Sequence, residues 1–177
     1  MWVMQPTLHT PSLFVIAAFS RFPEAFEWSK QRVVNEWGPL ALESPLLPFD
    51  QTSYYQSSMG GDLQKQLWAF EKLVDPAELS DRKILTNQWE LELVQERPWS
   101  VSRPVNLDPG YLTEAKLVLA TTKDRDHRIY LRDGIYAEGT LYYHKGGWRN
   151  RPWTYPDFQS EPYHTFFLRC REYLRSV

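Results

Sequence analysis

The residues of this chain best suited to chemistry fall between positions 103 and 157. His127 and Glu138 flank Asp133-Gly134, the pair favoured by a two-residue type I′ turn between antiparallel strands. Counting outward from a turn that pairs Arg132 with Ile135 sets Ile129 against Glu138, Arg128 against Gly139 and His127 against Thr140. His127 and Glu138 are then diagonal neighbours on one face. A carboxylate beside an imidazole orients the ring and favours its charged form, as an acid–base pair or an anion-holding group requires. The plain alternative is an exposed pair contributing under about 1 kcal/mol.

Asn106 and Asp108, in Asn106-Leu-Asp-Pro-Gly110, place two short polar side chains at a strand end, where binding sites collect; a turn followed by a helix cap uses the same residues. The run Thr121-Thr-Lys-Asp-Arg-Asp-His-Arg128 carries two hydroxyls and three basic side chains, adequate to hold one or two phosphates or to form a solvated loop. Pro152 and Pro156 frame Trp153 and Tyr155 in a stiff segment that offers a flat wall to a base or sugar, or a lid over the core. The candidate catalytic residues are therefore His127, Glu138 and Asp108. The candidate ligand-binding residues are Asn106, Asp108, Lys123, His127, Arg128, Trp153 and Tyr155.

Several chemistries lack their residues. A phosphate-wrapping P-loop needs GxxxxGK[ST], and neither that run nor a GxGxxG fingerprint occurs. His9, His127, His144 and His164 show no HxxxH, HxH or HExxH spacing, so no metal site is expected. No GxSxG nucleophile elbow is present, and Cys170 lies on the apolar face of a helix, as a core thiol does. The sequence names no cofactor.

These residues need a scaffold. Leu13 to Phe19 is continuously apolar, as in a central strand covered on both faces. Pro23 can open a helix in which Phe22, Phe26, Val33 and Trp37 share a face, and Gly38-Pro39 closes it. Leu40, Leu42 and Leu46 alternate as a strand, residues 48–62 read as a long loop, and Leu67 to Val74 as another strand. Asp75-Pro76-Ala77-Glu78 starts a second helix carried through Leu85, Trp89 and Leu93, although residues 84–94 also alternate like a strand. A strand near Pro104 to Leu107 completes a ferredoxin-like β-α-β-β-α-β opening. Asp108-Pro109-Gly110 then reads as a turn and Tyr111 to Leu119 as a third helix, with 116–122 open to a strand reading. After it come the hairpin, an aromatic loop from Trp148 to Phe158, and a final helix capped at Ser160 with Tyr163, Phe166, Phe167, Cys170 and Leu174 on one face. The fold class is α+β: a single domain over 1–177 on a mainly antiparallel sheet, with 1–11 loosely ordered.

Composition fits that reading. At 177 residues, 42% hydrophobic and 24% charged, the chain buries an ordinary core, roughly 70% of its unfolded surface. Eight Trp, ten Tyr and nine Phe either fill that core or serve stacking and interfaces. A charge of −2 provides no general field for nucleic acid. One cysteine, no basic leader and a longest apolar run of Leu13 to Phe19 point to a cytoplasmic protein outside the membrane.

The stretches FEKLVDPAEL, NQWE, RPVNLDPGYLTEAKLVLATTKD, HRIYLRDGIYAE and PWTYPDF resemble a family known as domain of unknown function 4416 over nearly the whole chain. The combination of NLDPGYL, LVLATTKD and PWTYPDF is what makes the resemblance specific. The family brings no assigned activity, and some members carry a GTP-binding label. Here Thr121-Thr122-Lys123-Asp124 does not fit the guanine-reading [NT]KxD pattern, since Arg125 stands where the Asp should be.

Three expectations follow. The first is a protein that binds a small phosphate-bearing molecule or nucleotide, or an enzyme acting on one, through its C-terminal half. The second is a non-catalytic interaction module whose aromatic loops, 48–62 or 148–158, bind another protein or a second copy of the chain. RNA contact through exposed sheet aromatics ranks third, because the chain is mildly acidic and lacks the signature of such sheets.

Overall fold

Burial on both faces makes β1 (Ser12–Ser20) the centre of the molecule, since all nine of its residues are buried and a strand so covered needs a layer on each side. In this computed structural model, which describes residues 5, 7–50 and 54–177, β1 pairs with β4 (Gln64–Val74) along one edge and β5 (Val105–Leu112) along the other. Beyond β4 lie β2 (Leu40–Glu43) and β3 (Leu47–Pro48). Beyond β5 come β6 (Lys116–Thr121) and β8 (Ile135–His144), and β8 carries β7 (Ile129–Arg132) and β9 (Gly147–Asn150) on its outer edge. The order is β2-β4-β1-β5-β6-β8-β7, and the paired strands run antiparallel.

The helices supply the two layers. α1 (Pro23–Trp37) begins at Pro23, where a missing N–H costs nothing, and stops at Gly38 with φ +92°. Its Phe26 and Val33 join Trp89 and Leu93 of α3 (Leu79–Glu96) over Phe14, Ile16, Trp68, Phe70 and Leu107. α4 (Glu161–Ser176) covers the opposite face with Tyr163, Phe166, Phe167 and Cys170 against Leu13, Val15, Ala17 and Leu141. The single turn α2 (Gln56–Met59) buries Met59 beside Phe19, Phe49 and Leu63. Among the described residues, no helix is long and apolar enough to cross a membrane.

Several expectations are corrected. The helix from Tyr111 is the β5–β6 hairpin, because its apolar residues serve two short strands about a polar turn; Thr113 Oγ1 accepts from the N–H groups of Ala115 and Lys116. Residues 116–121 are strand, and 84–94 are helix. Asp108-Pro109-Gly110 lies inside β5, opposite Ala17, Ile16 and Val15, and not in a turn. The Trp148 loop begins later, because Lys145 and Gly146, with φ of +46° and +83°, make a second two-residue turn that pairs β9 back onto β8. Of the segment expected to be loosely ordered at 1–11, residues 1–4 and 6 lie outside the described residues, as do 51–53 of the long loop.

The hairpin turn forms where expected: Asp133 and Gly134 take φ of +53° and +76°, and Arg132 faces Ile135. Its register does not continue, because a bulge at Leu131 sets Tyr130 against Tyr136 and Ile129 against Ala137, not Glu138. At Asp75, Oδ1 caps Ala77 N at 2.8 Å, whereas Glu78 turns to Arg82 at 2.6 Å and does not reach back. Ser160 occupies the N-cap position of α4, but its hydroxyl donates to Asp157 O.

β6 packs tightly on Gly110 of β5, where a Cβ would lie 2.4 Å from the Val118 carbonyl oxygen and 2.6 Å from Leu119 Cδ2. Gly110→Ala is therefore expected to cost about 1–3 kcal/mol in urea unfolding. Gly139→Ala, with open space at its Cβ, should change stability by under about 0.5 kcal/mol.

Candidate functional site

The sheet opens beside Asp108. β5 and β6 pair only from Gly110 to Leu112, after which β6 continues on β8 alone. The peptide of Leu107 on the vacated edge is held by α3 instead: its N–H donates to Glu90 Oε1 at 2.7 Å, and its carbonyl accepts from Lys83 Nζ at 2.8 Å. Strand alternation turns Pro109 the same way, and a proline has no donor to leave stranded there. Lys83 and Glu90 are two helical turns apart, so both reach from one face of α3.

A cavity of about 760 Å³ occupies this opening. Lys83 and Glu90 of α3, Asn106 and Asp108 of β5, and Leu119 to Thr121 of β6 line it, and the β6–β7 connection adds Thr122, Lys123, Arg125 and Arg128. Six aromatic residues, Phe19, Phe49, Tyr54, Tyr55, Tyr155 and Phe158, also line it. Tyr155 and Phe158 are held in place because Thr154 Oγ1 donates to Thr140 O at 2.6 Å and Trp153 Nε1 to Gly139 O at 3.0 Å, pinning their segment to β8.

Each of the four lining carboxylates is paired. Asp108 meets Lys83 at 2.9 Å, Glu90 meets Arg103 at 2.8 Å, Glu138 meets Arg128 at 2.8 Å, and Asp157 meets Lys65 at 2.5 Å. Asn106 joins two of these pairs, accepting from Arg103 and donating from Nδ2 to Asp108 Oδ2 at 2.8 Å. Burial pushes the Asp108 carboxyl up, but the Lys83 ammonium, followed by Arg103 and Lys65, holds it below the usual carboxylate range. Desolvation would lower the Arg103 guanidinium, yet Glu90 raises it above its ordinary value. The Lys65 ammonium also lies over the rings of Phe49, Phe19 and Phe158 at 3.8, 4.9 and 5.1 Å.

Lys123 and Arg125 differ. Neither joins an ion pair with a carboxylate among the described residues. The Lys123 ammonium stands 3.9 Å over the Tyr54 ring and lowers the pKa of that phenol by hydrogen bond and charge.

Of the residues singled out in the sequence, Asn106, Asp108, Lys123, Arg128, Glu138 and Tyr155 line the cavity, whereas His127 and Trp153 do not. His127 and Glu138 are in contact despite the altered register, Nε2 to Oε2 at 3.1 Å, because the bulge carries residues 127 and 128 past the strand end to Glu138. The other face of the imidazole environment is Asp126, at 3.1 Å, and Trp153, stacked at 4.9 Å between ring centres. Lys65, Lys83, Glu90 and Arg103 were not among the residues singled out, and Tyr54-Tyr55, expected in a partner-binding loop, line the cavity instead. A signal existed for α3: Leu79, Lys83, Thr86, Glu90 and Leu93 share one buried stripe, with charges at core positions. No comparable signal marks Lys65. Phe14, Phe19, Trp68 and Phe70 are all buried, so β1 and β4 offer no exposed ring for base stacking. Among the described residues, no group of three or more His, Cys, Asp or Glu side chains is placed to hold a metal.

Comparison with known proteins returns one family model, described as "Domain of unknown function (DUF4416)", which matches residues 10–173. No curated protein and no solved structure matches the chain.

Two outcomes are expected from the ion pairs. Glu90→Ala strands the Leu107 N–H and the Arg103 guanidinium, and should cost about 3–5 kcal/mol in chemical denaturation. The lowered Asp108 pKa means that its pairing stabilises fully above the unfolded value of about 4 and is lost as pH falls through the folded value. Asp108→Asn should therefore unfold more easily at neutral pH yet lose less stability than the parent below about pH 4; parallel acid limbs would remove the pairing from the account.

Proposed function

We propose that the chain, which belongs to the family described as a domain of unknown function (DUF4416), binds a small phosphate-bearing molecule in the cavity between β5 and β6. The observation that carries this reading is the imbalance of charge along the cavity wall. Its four carboxylates are each held by a cation, while Lys123 and Arg125, which have no carboxylate partner among the described residues, stand on the β6–β7 connection that also carries Thr122. A phosphate brings the missing negative charge and three strong acceptors to that corner. Tyr54, Tyr55 and Tyr155 supply flat surface for the rest of the molecule, and the volume falls within the about 300–1,000 Å³ usual for small ligands. In this reading Glu138, with His127 behind it, sets the position of Arg128, and Asp108 faces the bound molecule. The site draws on both halves of the chain.

The order β2-β4-β1-β5, with α1 and α3 on one face, supports a ferredoxin-like reading of the opening, extended by β6 to β9. The ligand then sits where the extension departs.

A second reading, an interaction module, draws support from the edge strand β7, where Ile129 and Tyr130 are 71% and 57% exposed and Leu131 40%. Trp153 favours it less, being engaged with His127 and Gly139. Solution mass by light scattering separates the two: a dimer dispersed by Ile129→Lys would favour the edge, and a monomer at all concentrations would count against self-association.

Thermal melting with inorganic phosphate, pyrophosphate, nucleotides and sugar phosphates tests the first reading. A true ligand at one hundred times its Kd adds roughly 2.7 kcal/mol and raises the Tm of a chain this size by about 5–10 °C. The double variant Lys123→Ala, Arg125→Ala should keep its own Tm and lose that rise. A panel that leaves melting unchanged throughout would sink the proposal.

A further inference from the structure

Resting on the phosphate reading, we infer that the bound molecule carries hydroxyls on adjacent carbons, as a phosphorylated sugar does, and that Asp108, Asn106 and Lys83 read them. The hydrogen-bonding capacity left on the cavity floor points this way. An ionised carboxylate has about four acceptor sites, and Asp108 uses one per oxygen, Oδ1 toward Lys83 at 2.9 Å and Oδ2 toward Asn106 at 2.8 Å. Lys83 has three donors, of which Leu107 O and Asp108 take two. Asn106 Nδ2 has two, and Asp108 takes one. Asn87, one helical turn beyond Lys83 and also on the wall, makes no hydrogen bond through its amide among the described residues.

Among the described residues, the floor therefore sets unused acceptors beside unused donors within one bonded cluster. A hydroxyl is the group that both donates and accepts, and two neighbouring hydroxyls match the two oxygens of one carboxylate with the flanking donors. An apolar ligand would leave these groups unmet, and a phosphate placed on Asp108 would be repelled. The phosphate belongs instead at Lys123 and Arg125. Arg103 joins the two regions, since its charge acts on Asp108 and on Tyr54 alike. The Tyr155 ring, half exposed at the cavity, offers a face for the C–H side of a sugar.

The experiment is calorimetric titration of the full chain with ribose 5-phosphate, glucose 6-phosphate, adenosine monophosphate, the 2-deoxy form of each, and inorganic phosphate. At least one sugar phosphate should bind about tenfold or more tightly than its 2-deoxy form, because a site built around a hydroxyl is left with unpaired groups when it is missing. Asn106→Ala and Asp108→Asn, each checked for folding by its melt, should weaken that sugar phosphate by a similar factor and leave inorganic phosphate unchanged. Lys123→Ala should weaken both. Adenosine monophosphate, which keeps adjacent ribose hydroxyls, should likewise bind about tenfold or more tightly than its 2-deoxy form, and equal affinity for the two counts against the inference. Equal affinity for every sugar phosphate and its deoxy form overturns it while leaving the phosphate reading intact. Failure of inorganic phosphate and all the esters to bind overturns both.

Discussion

The cavity depends on one backbone constraint: the peptide of Leu107 must find partners once β6 leaves β5. A buried N–H or carbonyl without a partner costs about 1–3 kcal/mol, so an antiparallel sheet cannot open in its middle unless something replaces the lost ladder. Lys83 and Glu90 are that replacement, reaching from one face of α3 to both polar groups of a single residue. Pro109 removes a further donor from the same edge, and Gly110 lets the strands touch once more before they part. Four features that look unrelated along the chain thus serve one opening.

That solution brings charge into the interior, and the charge shapes everything around it. Glu90 must be balanced by Arg103 and Lys83 by Asp108, and Asn106 ties the two pairs into one network. Buried ion pairs add little net stability, because desolvation cancels most of the attraction, but removing one partner is expensive. The network therefore holds its members in fixed positions more than it stabilises the fold. Lys65 and Asp157 repeat the arrangement across the cavity, with three phenylalanine rings around the ammonium.

The remaining walls are tied to β8. Glu138 draws Arg128 and His127 inward from the β6–β7 connection, and the Arg128 guanidinium donates from Nη1 to Lys123 O at 3.0 Å, bracing the segment that carries Lys123. Thr140 and Gly139 hold Thr154 and Trp153, which set Tyr155 at the rim. A single strand thus positions the cationic corner and part of the aromatic wall relative to each other.

Local physics determined much of this protein from sequence alone. The apolar run at Leu13 to Phe19, the Pro23 and Gly38 limits of α1, the stripe of α4 and the Asp133-Gly134 turn are each specified by neighbours in the chain, and each stands in the structure. Asn106, Asp108, Lys123, Arg128 and Tyr155 were recognisable as polar or aromatic groups in unusual company. Only the tertiary structure decided that Asp108-Pro109-Gly110 is strand, since proline and glycine mark a turn and an interrupted sheet edge equally well. It alone decided the bulge at Leu131, which brings His127 to Glu138 by a route that counting residues does not give. Lys65, Lys83 and Glu90 acquire their roles from partners 92, 24 and 17 residues away. Pairings at such separations are set by how sheet and helix pack, and no local pattern encodes them.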